Sequence, residues 1–368
     1  MIHFVVGTRA QLFKMAPIML ECEKQGLAWR WVYAAQHTET IQQTLDAFEL
    51  PDPDYTIIEW DTEAKTMGKI WYWFMKMLLA LPRSKKILGG HTGKDSIVLT
   101  HGDTLTTWIA ALYGRVTRTK VMHVEAGLRS FNIRKPFPEE INRLITFRMA
   151  HYYACPGDWA VENLKKYKGV KINTGENTQI DTIRFGLENA DKADFDVPKG
   201  KYVIGTIHRY ENIFKQERFE EIVKELEYVA KKYPIYMIQH PATLIQIDQM
   251  GYRERLEKNK NIHLLPRLEY LPFIKSVKHS EFVITDGGGN QEELYHMGKP
   301  TLIFRNETER QEGLGTTAVL SKLDHKVIAK FVKNYKDHIH PPTDKSKSPS
   351  KMIVDVLKKD GFGKRAKK

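Results

Sequence analysis

The sequence predicts an α/β protein of two parallel-sheet domains facing a central cleft. Three observations carry that expectation. Short apolar runs alternate with longer helical patterns along the whole chain. Most of the runs are continuous rather than alternating, as strands covered on both faces are. A length of 368 residues is more than a single core ordinarily holds and suits two domains.

The first series of strand candidates covers residues 2–6, 31–34, 96–100, 120–124 and 152–154. The second covers 202–206, 235–239, 262–265, 282–285 and 301–304. Helical patterns such as 158–167 and 217–231 supply the crossovers. A polar stretch over 168–201, with Asn173-Thr-Gly-Glu-Asn177 and Asp196-Val-Pro-Lys-Gly200, reads as the break between the series. The domains are therefore expected at 1–170 and 171–349, with a last helix over about 350–368 packing back on the first.

Composition narrows the function classes. Hydrophobic content of 42% and charge of 28% are those of a globular protein. No secretory leader is expected, because the apolar run 2–6 is short and Gly7-Thr8-Arg9 follows it. The nearest approach to a membrane span, 70–81, is too short and carries Lys76, so no integral membrane segment is expected. Its aromatic cluster, Trp71 to Phe74, suits burial or a subunit contact and leaves peripheral membrane association open. Two cysteines, Cys22 and Cys155, argue against a disulfide framework and fit a cytoplasmic location. No metal-spaced Cys or His pairs occur, and no metal site is expected. The net charge of +12 gathers toward the carboxyl end as a solvated run. It lacks the interleaved aromatics of a nucleic-acid groove, so no nucleic-acid partner is expected.

The chemistry-bearing motifs follow strand candidates. The first strand ends in Gly7-Thr8-Arg9, a turn that suits an anion at a helix amino end. The third leads to His101-Gly102-Asp103-Thr104. The fourth leads to His123-Val-Glu125-Ala-Gly-Leu-Arg129 and then Pro138-Glu139-Glu140-Ile-Asn-Arg143. Carboxylates gathered at strand ends suit the removal and return of protons at a sugar carbon, although Glu139 and Glu140 also suit the first turn of a helix. In the second series, His208-Arg209 follows a strand and suits a phosphate or a proton transfer. Thr285-Asp286-Gly287-Gly288-Gly289 opens a helix and offers backbone N–H groups to phosphate, and Glu293 is placed to accept from ribose hydroxyls. Arg305 to Glu312 alternates charge and suits either surface salt bridges or an anion.

Together these runs resemble the non-hydrolysing UDP-N-acetylglucosamine 2-epimerases, in order from Gly7 to about Gly313. The family's Gly-Thr-Arg-Pro-Glu-x-x-Lys-Met-Ala-Pro run stands here as Gly7-Thr-Arg9-Ala10-Gln11-Leu-Phe-Lys14-Met-Ala-Pro17. Tyr270-Leu-Pro-Phe273, Gln291-Glu-Glu293 and Thr308-Glu-Arg310 also match. The resemblance implies two Rossmann-like domains in the GT-B arrangement, with UDP mainly on the second and the sugar on the first. It implies interconversion of UDP-GlcNAc and UDP-ManNAc by elimination of UDP to a 2-acetamidoglucal and re-addition. No cofactor and a homodimer are implied. So are catalytic roles for Asp103, Glu125, Glu139 and His208, with Asp103 and Glu139 as acid/base candidates. Substrate binding is expected of Arg9, Lys14, Arg143, Phe273, Gly287, Gly288, Gly289, Glu293 and Arg310. Gln36 and His37 resemble the segment that contacts an allosteric substrate molecule. Four positions depart from the pattern: Ala10-Gln11 replaces Pro-Glu, Tyr210 replaces the second arginine of His-Arg-Arg, and Gly287 replaces a serine. They leave open another UDP-2-acetamido sugar. A hydrolysing epimerase that releases ManNAc stays open too, as does a GT-B sugar-nucleotide-binding protein or glycosyltransferase.

Overall fold

The computed structural model describes residues 1–35, 41–59, 67–134, 137–344 and 347–364. The chain divides into two units, Met1–Thr182 with Lys345–Lys368, and Ile183–Asp344. The division falls at Thr182 rather than at 170. The stretch 168–201, expected as a break, holds an edge strand at Val170–Asn173 and a helix at Gln179–Asn189. Val170 is exposed and only Ile172 of that strand is buried, so the strand lacks the continuous apolar signature that marked the others.

Among the described residues, the first unit contains seven strands: β1 (Ile2–Val6), β2 (Trp29–Tyr33), β3 (Tyr55–Thr56), β4 (Ile97–His101), β5 (Lys120–Val124), β6 (Tyr152–Cys155) and β7 (Val170–Asn173). All pair in parallel, in the order β3-β2-β1-β4-β5-β6-β7. β1 and β4 are buried along their whole length, as a parallel sheet covered on both faces requires. One face packs Val5, Val32, Val98, Ile109 and Trp73 together, and Trp73 donates its indole N–H to the Ala34 carbonyl at 2.7 Å. The helix Pro349–Lys359 belongs to this unit: Ser348 caps it, and the Ser350 amide donates to Asp181 Oδ2 at 2.8 Å.

The second unit contains β8 (Val203–Thr206), β9 (Ile235–Ile238), β10 (Ile262–Leu265), β11 (Val283–Thr285), β12 (Thr301–Ile303) and β13 (Ala318–Leu320). The order is β10-β9-β8-β11-β12-β13, again all parallel. The helix Gln216–Ala230 lays Phe219, Ile222, Val223, Leu226 and Val229 on one face at helical spacing. They join Val203, Phe282 and Leu302 in one core.

Both sheets reverse strand order once, between β1 and β4 and between β8 and β11. In open α/β sheets, ligands bind beyond the carboxyl ends of the strands at that reversal. Topology alone therefore selects four loops: those after Val6, His101, Thr206 and Thr285. Among the described residues, no helix is long and apolar enough to cross a membrane.

Candidate active site

The loop after β1 turns at Gly7. Thr8 caps the helix Arg9–Lys24 by accepting from the Gln11 amide at 3.2 Å. Gln11 then ties two switch-point loops together. Its Oε1 accepts from the Gly7 amide at 2.9 Å, and its Nε2 donates to the His101 carbonyl at 2.7 Å and to Thr104 Oγ1 at 3.0 Å. Arg9 is the first residue of this helix, with its guanidinium 4.9 Å from the centre of the Phe13 ring.

Glu125 follows β5 with φ of +62°, a left-handed conformation that a non-glycine residue adopts only when its surroundings fix it. Those surroundings are polar. Lys14 Nζ donates to Glu125 Oε1 at 2.8 Å, Asn177 Nδ2 donates to the same oxygen, and His101 Nε2 lies 3.3 Å from Oε2. Burial alone would raise the Glu125 carboxyl, but Lys14 and these contacts outweigh it and hold it down at about 2. Burial pushes His101 down to about 3, so its ring is neutral and Lys14 is the cation of the cluster. Beside it, Gly102 takes φ of +72°, and its carbonyl bonds His123 Nε2 at 2.7 Å.

Asp103 and Glu139 lie in a different environment. Burial raises the Asp103 carboxyl, and the Glu125 and Glu139 carboxylates raise it further, while Arg143 pulls it back. Arg143 NH2 donates to Asp103 Oδ2, and Asn142 Nδ2 donates to the Asp103 carbonyl at 2.7 Å. Both come from the helix Glu139–Met149. The paired glutamates that open this helix differ sharply. Glu140 is fully buried and accepts from Arg129 Nε at 2.5 Å, the Ser130 amide at 3.0 Å and Arg143 NH1 at 3.4 Å. Glu139 Oε2 is buried with no hydrogen-bond partner among the described residues. One carboxylate is consumed by structure; its neighbour keeps one buried oxygen as an unused acceptor.

In the second unit, Asp286 is fully buried after β11. It accepts from the His208 amide at 3.0 Å, the Arg209 amide at 2.9 Å and Asn212 Nδ2 at 2.9 Å, which fixes the loop after β8. Gly287 caps the helix Gly288–His296, so the triglycine run presents a helix amino end. Around Gly289 there is open space, whereas a Cβ on Gly287 would lie 2.8 Å from His208 Cε1. Gln291 supports the next loop by donating to the Glu312 carbonyl at 2.9 Å and accepting from Thr308 Oγ1 at 2.9 Å. Arg310 NH1 pairs with Glu292 at 2.9 Å. Glu293 and Phe273 are half-buried; burial and the Glu293 carboxylate hold the Tyr270 hydroxyl protonated.

Thus Lys14, Asp103, Glu125, Glu139 and Arg143 gather in the first unit. His208, the triglycine run and Arg310 gather in the second. Gln36 and His37 lie outside the described residues. His240 caps the helix Pro241–Gln249, as a structural histidine would. The charged run after β12 divides: Arg305 pairs with Glu211 and Glu309, while Arg310 faces the phosphate-loop helix. Sequence reading missed Gln11 as a tie, Asn177 as a ligand of Glu125, and Glu140 as the buried partner of both arginines. Asn177 stands 52 residues from Glu125, and no local pattern could have joined them.

The family model described as UDP-N-acetylglucosamine 2-epimerase matches residues 20–354. The UDP-N-acetylglucosamine 2-epimerase of Bacillus subtilis is 34% identical over 338 residues, covering 89% of this chain and 85% of its own. The UDP-GlcNAc 2-epimerase of Methanocaldococcus jannaschii superposes with a TM-score of 0.80 at 28% identity, covering 97% of this chain and 99% of that one. A second structure of that enzyme, in complex with UDP-GlcNAc and UDP, gives 0.71 at 27% identity, with the same two coverages.

The chain belongs to the UDP-N-acetylglucosamine 2-epimerase family.

Within that family, the four departing residues occupy three strand-to-helix junctions. Ala10 and Gln11 follow β1, Tyr210 follows β8 and Gly287 follows β11. Gln11 serves its junction through an amide that a glutamate could not offer, because its Nε2 donates to a carbonyl. Tyr210 is exposed and stacks on Phe214, ring centres 4.4 Å apart.

Proposed function

We propose that this epimerase-family enzyme interconverts UDP-GlcNAc and UDP-ManNAc by eliminating UDP to a 2-acetamidoglucal and adding it back with the opposite configuration at C2. The observation that carries this reading is the separation of carboxylate roles around Asp103. Asp103 is raised by burial and by two neighbouring carboxylates, while Glu125 is held at about 2. Titratable groups pushed apart in this way mark a proton-transfer group and a fixed charge.

The C2 proton has no adjacent carbonyl to acidify it. Breaking the anomeric C–O bond therefore leads, and positive charge grows on the sugar ring. Glu125, ionised throughout, stabilises that charge. Asp103 and Glu139 remove and return the C2 proton, each serving one direction of the reaction. Arg143 positions Asp103. The UDP moiety rests on the Gly287–Gly288–Gly289 helix end, with Arg9, His208 and Arg310 on its phosphates, Glu293 on ribose and Phe273 in the nucleotide pocket. Support comes from the M. jannaschii relative, whose structure holds UDP-GlcNAc and UDP. No cofactor takes part. The enzyme acts as a homodimer in the cytoplasm and supplies a ManNAc-type precursor for surface polysaccharide.

Incubation with UDP-GlcNAc in deuterated water, followed by NMR, tests the reading. UDP-ManNAc labelled at C2 is the expected product. Free ManNAc would replace it with a hydrolysing reaction, and no reaction would overturn it.

A further inference from the structure

A second charged concavity lies at the opposite edge of the first sheet. It opens at the amino ends of β5, β6 and β7, whereas the carboxylates lie past the carboxyl ends. Strands of four or five residues at about 3.3 Å each separate the two edges by roughly 13–16 Å. The pocket encloses about 550 Å³, within the usual range for a small ligand.

Its charge is one-sided. Arg115, Lys120, Arg148, Lys166 and Lys168 line it, and no carboxylate does. Among the described residues, none of these five cations pairs with an acidic side chain. Lys166 rests over the Tyr167 ring and Arg148 donates to the Leu144 carbonyl. Tyr167, also in the lining, keeps a buried hydroxyl with no hydrogen-bond partner among the described residues.

His151 supplies an independent sign of a missing acceptor. The Val121 amide donates to its Nδ1 at 3.1 Å, and Arg115 NH1 lies 2.9 Å from its Nε2. A neutral imidazole has one acceptor nitrogen, and guanidinium is only a donor. The backbone donor is fixed, so Nδ1 accepts and Nε2 carries the proton. Arg115 and His151 then point two donors at each other. Burial, Lys120 and Arg115 hold the ring neutral, at about 4. Two donors side by side are relieved by an acceptor placed between them.

We propose that this pocket binds a compact polyanion bearing at least two phosphate-type groups, held by Arg115, Arg148, the three lysines and the His151 Nε2–H. Five unpaired cations exceed what a single phosphate neutralises. Phosphate of this kind reaches a protein as a free diphosphate or as an anionic lipid headgroup.

The test uses the full-length protein. Inorganic pyrophosphate is titrated calorimetrically into wild type and into Arg115→Ala/Arg148→Ala, while the His151 ring signals are followed by NMR. Both substituted side chains are exposed, so folding is checked by circular dichroism and UDP-GlcNAc turnover is expected to persist. Loss of two charge-assisted contacts weakens pocket binding roughly tenfold or more, and the His151 shift seen in wild type disappears. Capture by vesicles containing cardiolipin, whose headgroup carries two phosphates, but not by phosphatidylcholine vesicles, lost in the same variant, assigns the phosphate to a lipid. Pyrophosphate binding without capture assigns it to a soluble anion. Identical titrations for the two proteins, or a His151 signal that moves with neither pyrophosphate nor vesicles, overturns the proposal.

Discussion

Lys14 and Glu125 stand 111 residues apart in sequence, yet the lysine Nζ donates to the glutamate at 2.8 Å with both side chains largely shielded from water. The pair makes stability depend on pH. The Glu125 carboxyl lies below its ordinary value, at about 2. Its contribution is therefore present above the ordinary carboxylate range and is lost as pH falls toward 2. Lys14→Met leaves a buried charge uncompensated and should cost about 3–5 kcal/mol at neutral pH. Denaturant melts from pH 7 down to pH 2 check this: the wild type should lose stability toward acid, and the variant should lose markedly less.

Glu139 and Glu140 offer a matched pair of isosteric substitutions. Glu140→Gln exchanges a buried acceptor of three donors for an amide and should destabilise the protein by about 3 kcal/mol or more. Glu139→Gln disturbs no partner at Oε2 and should leave the melting temperature nearly unchanged. Turnover should behave in the opposite way: Glu139→Gln and Asp103→Asn should each slow turnover and deuterium exchange at C2 by about 10²–10⁴-fold. Near-normal exchange in both would remove them from the proton-transfer roles.

Restoring the family glutamate at position 11 should harm this protein. Gln11→Glu sets a carboxylate oxygen against the His101 carbonyl, where an N–H now donates at 2.7 Å. The expected loss is about 1–3 kcal/mol, read from thermal unfolding. An unchanged midpoint would show that the tie between the two loops is dispensable.

Gly287→Ser restores the family side chain but places Cβ 2.8 Å from the His208 ring edge. The ring is about one-third exposed and can swing aside, so folding should change by less than about 0.5 kcal/mol. The displaced ring should lower kcat. In a His208→Ala background the same serine should do no such harm, a non-additivity of about 0.5–3 kcal/mol in a double-mutant cycle. Additive effects would separate the two positions.

The strands that position the site were readable because burial on both faces leaves a continuous apolar run, as in Ile2–Val6 and Lys120–Val124. β3, β7 and β13 were not, because two to four residues at or near a sheet edge carry little apolar signal. The motif glutamates were readable as a group. Their division was not: which of Glu139 and Glu140 faces Arg129 depends on how the helix rolls against a loop ten residues earlier. Gln11 looked like a departure from a pattern. Its meaning rests on the His101 carbonyl, 90 residues away, which no local spacing encodes.

The two reversals of strand order have a consequence for how this enzyme can diverge. All four departures from the family pattern fall at strand-to-helix junctions beside the reversals, and none falls on a strand. At the first of them Gln11 also holds two loops together, so a lineage that retunes the site there alters the stability of the fold in the same step. Substrate preference and foldability are then inherited as linked traits at that junction.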